Sequence, residues 1–210
     1  MANLAILKVN RERIGQKPGI ISQLGVLLVD EDVETKRHAV HAIANLALNE
    51  NNQASIGQEP GIITTLGTLL DYLDVGTKGC AVHTIAILST HEANKKKIGR
   101  EPGIITKLGA LLGNSNSFIQ KEALCALVNV CLYSTNLTQD TQNKLLQSLH
   151  CDFNEPAMNE KASQLHQLLS LCTPNDRSQG RELGLWKVSQ GKGAKEQVLF
   201  VNELYKRACS

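Results

Sequence analysis

The chain has 210 residues, a formal net charge of +2 and only 3% aromatic residues. No apolar run reaches the roughly 18 residues of a membrane-spanning helix, so no span is expected. Met1 to Lys8 is too short and too poorly charged at its start for a signal peptide. The near-neutral balance gives no electrostatic case for nucleic acid as a partner. Six scattered cysteines fit buried, reduced thiols in the cytoplasm, with the nucleus as the alternative.

Ala2-Asn3-Leu4-Ala5 matches Ala44-Asn45-Leu46-Ala47 at an offset of 42 residues. Residues 1–9 therefore read as the third helix of a preceding repeat. Its uncovered apolar edge is a candidate self-association surface, and with it a route to a homo-oligomer. The same offset relates Pro18-Gly19-Ile20-Ile21 to Pro60-Gly61-Ile62-Ile63 and to Pro102-Gly103-Ile104-Ile105. A fixed period of this size is the signature of stacked helical repeats. Three copies follow, at 10–51, 52–93 and 94–135.

Each copy predicts a short helix and then two longer ones. Gly15, Gly57 and Gly99 are expected to end the first helix in the left-handed conformation. Pro18, Pro60 and Pro102 are expected in the first turn of the second. Ile20, Ile21, Leu24, Leu27 and Leu28 form one apolar stripe. Val33, Ala39, Val40, Ile43, Leu46 and Ala47 form the core face of the third helix. One copy cannot bury both stripes, so neighbours must stack.

Residues 136–172 predict a degenerate capping repeat of two helices, 138–150 and 156–172. Residues 173–193 hold Pro174 and four glycines and predict a loop. Residues 194–210 predict a last helix with Val198, Leu199, Val201, Leu204 and Tyr205 as its apolar positions. Residues 177–210 carry seven Lys/Arg against three acidic residues, net +4, which leaves −2 for the rest. A partner tethered through this basic end is one alternative function.

No phosphate-binding loop, dinucleotide fingerprint, Cys-x-x-Cys pair or nucleophile elbow occurs. No enzyme activity and no cofactor is expected. Cys80, His83 and Cys125 could converge as zinc ligands from adjacent helices. Neighbouring helices pack about 10 Å apart, which works against that convergence, so no metal is expected.

The repeated Ile-Gly, Pro-Gly-Ile-Ile and Leu-Gly elements resemble the armadillo repeat. So does the third-helix ending Ala42-Ile43-Ala44-Asn45-Leu46-Ala47, with its counterpart Ala126-Leu127-Val128-Asn129-Val130-Cys131. The resemblance spans 126 of 210 residues. It implies an all-α, right-handed solenoid whose third helices line a concave groove, binding a protein or an extended peptide. In that family the third-helix Asn hydrogen-bonds the peptide backbone, since an amide donates and accepts together. The matching positions are Asn3, Asn45 and Asn129, with Ile87 standing at the second copy. The positions of the family's Trp ladder hold His41, His83 and Cys125. The expected groove face is Arg37, His38, His41, Asn45 and Leu48, then Cys80, His83, Ile87 and Thr90, then Lys121, Glu122, Cys125, Asn129 and Leu132.

Overall fold

The computed structural model describes residues 5, 7–131, 138–149, 153 and 156–171, without the side chains of 168 and 171. Leu132, the 173–193 loop and the 194–210 helix lie outside the described residues, as does Asn3. All described elements are helices. The first repeat is α1 (Lys8–Gly15), α2 (Ile20–Leu27) and α3 (Val33–Ala47). The second is α4 (Glu50–Gln58), α5 (Ile62–Leu69) and α6 (Val75–Leu88). The third is α7 (Glu92–Arg100), α8 (Ile104–Leu111) and α9 (Ser117–Val130). The chain closes on α10 (Gln139–Ser148) and α11 (Pro156–Leu171).

Second helices have 8 residues, against 8 or 9 for the first, and only the third is long. The left-handed glycines are Gly19, Gly61 and Gly103, at φ 78°, 82° and 80°. Gly15, Gly57 and Gly99 are instead helical. The proline sits outside the second helix, just before the left-handed glycine. It acts on the residue before it: Glu59 and Glu101 are extended, with ψ 126° and 124°, which ends the first helix. Gly15 and Gly57 are small for a packing reason. A methyl group built on either would overlap a buried amide from the next repeat, Asn52 or Asn94.

Those two amides tie the first helices together. Asn52 Nδ2 donates to Arg11 O at 2.9 Å and to Leu46 O at 3.0 Å. Asn94 Nδ2 donates to Gln53 O at 2.9 Å. Each joins one repeat to the repeat before it, at the cost of a fully desolvated polar group that must stay paired.

The third helices stack α3 on α6 and α6 on α9, and they carry most of the core. Each opens on a side-chain cap. Asp32 accepts from Thr35 N at 2.7 Å and Asp74 from Thr77 N at 2.7 Å. Asn116 accepts from Phe118 N at 3.0 Å and Ile119 N at 3.3 Å. Second helices meet through Ile62 over Gly25 and Ile104 over Gly67. Leu145 of α10 takes the same place over Gly109. In the closing pair, α10 therefore packs as a second helix and α11 packs on α9 as a third.

Two apolar expectations fail. Val33 is 43% exposed because it begins α3 beside the Asp32 cap. Leu27 is 39% exposed, whereas its equivalents Leu69 and Leu111 are buried. No described helix covers that side of α2.

The cap of α7 differs from its equivalent. Asn49 caps α4 by accepting from Asn51 N at 3.0 Å. His91 holds that position at α7 without a side-chain cap. Its Nδ1 is buried and finds no hydrogen-bond partner among the described residues. His91→Asn is expected to stabilise the chain by about 1 kcal/mol. Urea unfolding at pH 8 reads this, and a variant no more stable than the parent would contradict the missing cap.

Candidate functional site

The third helices present one row of partly accessible side chains on the face opposite the core. On α3 the row holds Arg37, His38, His41, Asn45 and Leu48, all half-buried or exposed. On α6 it holds Cys80, His83 and Ile87, all half-buried, and it runs on to exposed Thr90. On α9 it holds Lys121, exposed, with Glu122 and Cys125 half-buried. The 42-residue register keeps equivalent positions aligned from helix to helix, so the residues form one surface.

Several polar groups of that surface are paired. His83 Nδ1 donates to Glu122 Oε2 at 2.9 Å, linking α6 to α9, with the glutamate side chain only 15% exposed. The His83 ring lies 5.6 Å from the Phe118 ring, centroid to centroid. Arg37 is paired with Glu34 one turn back. His41 is held below its ordinary value, first by burial and then by the charges of His38 and Arg37, with Asp74 partly opposing them. Its ring is therefore neutral near pH 7.

The thiols are not poised for chemistry. Burial, and secondarily Asp74, pushes Cys80 up to about 11. Burial also raises Cys125. Both stay protonated at neutral pH, whereas thiolates are the nucleophiles and metal ligands. Among the described residues no three His, Cys, Asp or Glu side chains group to hold a metal ion. No described helix is long and apolar enough to cross a membrane.

Asn129 stands apart from the rest of the row. It is 8% exposed, and its Nδ2 donates to Ser89 Oγ at 2.9 Å. Ser89 Oγ in turn donates to Ala86 O at 2.6 Å, so the hydroxyl is free to accept. The register puts Ala47 at the position facing Ile87, and Ala5 at the one facing Asn45. Serine therefore faces Asn129, while alanine faces both Ile87 and Asn45. Phe118 is the lining residue that the sequence reading missed. It is 47% exposed and lies beside Gly79, within van der Waals reach of a side chain built there. An apolar residue two positions after the Asn116 cap was the available signal.

Solved structures place this architecture. Computationally designed armadillo repeat proteins for modular peptide recognition superpose with a TM-score of 0.64 at 20% identity, over 99% of this chain and 88% of theirs. A second designed armadillo repeat protein gives 0.63 at 22%, over 99% and 88%. Another, in complex with the peptide (KR)4, gives 0.62 at 22%, over 100% and 90%. No protein-family model matches the chain, and no curated protein matches it. The chain is an all-α solenoid with the armadillo-like repeat fold.

Proposed function

We propose that the chain is a non-enzymatic protein-interaction module whose third-helix face takes an extended peptide or protein segment. The observation that carries this is the continuous, partly accessible row from Arg37 through Ile87 to Cys125 on three aligned helices. This face is half-buried, with Cys80, Ile87 and Cys125 packed against the core yet reachable. The designed neighbours include one bound to (KR)4. The floor here is a mixture of polar and apolar groups. His83 and Glu122 pair with each other, and both thiols are neutral. An apolar ligand side chain over Ile87 suits that floor better than a run of cations. Asn45, half-buried on this face, is a candidate for orienting the peptide backbone.

Peptide display on the whole chain, beside an Asn45→Ala/Ile87→Ser double variant, tests this reading. Enriched peptides sharing an apolar residue are expected from the parent. The variant is expected to lose them with its helical circular dichroism unchanged. Equal enrichment by both proteins, or none by either, would refute the reading.

A further inference from the structure

The turns between second and third helices are polar in two repeats and apolar in one. Asp30-Glu31-Asp32 leads into α3, and Asn114-Ser115-Asn116 leads into α9. At the equivalent place before α6 stands Tyr72-Leu73-Asp74. Leu73 is 94% exposed, Val75 55% and the neighbouring Val33 43%. A single exposed leucine needs no explanation. Here two of these side chains, Val33 and Leu73, line a surface depression of about 370 Å³ together with Asp71, Tyr72 and Asp74. Its walls are held in place. Lys36 Nζ lies 5.1 Å over the Tyr72 ring and 3.4 Å from its hydroxyl, and Asp71 pairs with Lys107 at 2.8 Å. An apolar depression rimmed by carboxylates, with Asp30, Glu31 and Asp32 on the adjoining turn, fits a segment that combines an apolar anchor with cations.

We infer that this edge of the solenoid is the docking site of the chain's own C-terminal segment, anchored by Trp186. Residues 177–210 have a net charge of +4 and contain the only tryptophan of the chain. Leu183, Leu185 and Val188 accompany Trp186, with Arg181 and Lys187 among them. Tryptophan beside basic residues is the composition that dominates interface anchors. Length permits the contact. Leu171 ends α11, two helix spacings of about 10 Å and one helix length of about 20 Å from the start of α6. The 15 residues from Leu171 to Trp186 span up to about 50 Å when extended. Tethering gives the segment an effective concentration in the millimolar range, so a modest apolar contact suffices.

Trp186 is its own reporter in the intact protein. The full chain is expected to show the blue-shifted emission of a shielded indole, independent of protein concentration. Leu73→Asp changes an exposed side chain and leaves the core untouched. It is expected to move the emission to that of a synthetic 177–193 peptide and to speed tryptic cleavage after Arg181 and Lys187 several-fold. A parent emission already equal to that of the peptide would overturn the assignment. So would emission and cleavage that ignore Leu73→Asp. Emission that shifts on dilution would place the contact between copies and overturn the intrachain form.

Discussion

Gly57→Ala is expected to destabilise the chain by about 3 kcal/mol, although alanine is the better helix former. In an ordinary helix interior the change would gain about 1 kcal/mol. Here the added methyl group points into the Asn94 amide, a side chain only 2% exposed. The helices cannot part without disturbing a packed interface, and overpacking of this kind costs about 1–3 kcal/mol. If Asn94 moves aside instead, its buried amide loses the bond to Gln53 O and is left unpaired, at about 1–3 kcal/mol more. Either outcome exceeds the helix-propensity gain. Urea unfolding followed by circular dichroism measures the loss. In a solenoid, stability is a sum over repeats and their interfaces. Damage at the joint between the second and third repeats should therefore also lower the cooperativity of the transition. Adding Asn94→Ala removes the overlap, and the pair should be coupled favourably by at least 1 kcal/mol. A Gly57→Ala chain as stable as its parent would mean that the close approach of α4 and α7 is not what fixes glycine there.

That glycine shows how far the sequence could be read. The period of 42 residues exposed the repeat, the helix count per repeat and the stacking, because every repeat must bury the same stripes against its neighbours. Periodicity also flagged Gly57 as special, but it could not say why. A recurrent glycine after isoleucine is equally compatible with a left-handed cap and with a close helix approach. Only the position of Asn94, 37 residues further on, distinguishes them. Asn10, Asn52 and Asn94 repeat at the same period. They carried the missing half of that argument, since a polar residue recurring beside an apolar stripe calls for a recurring buried partner. The site was legible as a row of positions, because the register fixes which residues share the third-helix face. Its chemistry was not, because it depends on pairs between repeats. His83 with Glu122, and Asn129 with Ser89, lie 39 and 40 residues apart rather than one period.

The Asn129–Ser89 pair leads to the second large effect. Ile87 sits where its facing residue, Ala47, has no polar side-chain atom, and Ala47 is fully buried. Restoring the third-helix asparagine there with Ile87→Asn should cost about 2 kcal/mol. It removes apolar packing and points an amide at a methyl group in place of the hydroxyl that Asn129 meets. Ala47→Ser alone should cost about 1 kcal/mol, for burying a hydroxyl in a packed site. Together they recreate the arrangement seen one repeat later, where Ser89 donates to Ala86 O and accepts from Asn129. The double variant should therefore recover at least 1 kcal/mol relative to the sum of the two changes, measured as a double-mutant cycle in urea. Strict additivity would show that the Asn129–Ser89 arrangement does not transfer to the joint one repeat earlier. The same logic sets how peptide-binding variants are to be read. Asn129 is committed to Ser89, so its removal should lower stability along with any binding. At Asn45 or Asn129 alike, a loss of binding larger than the loss of folded protein explains would report on the ligand.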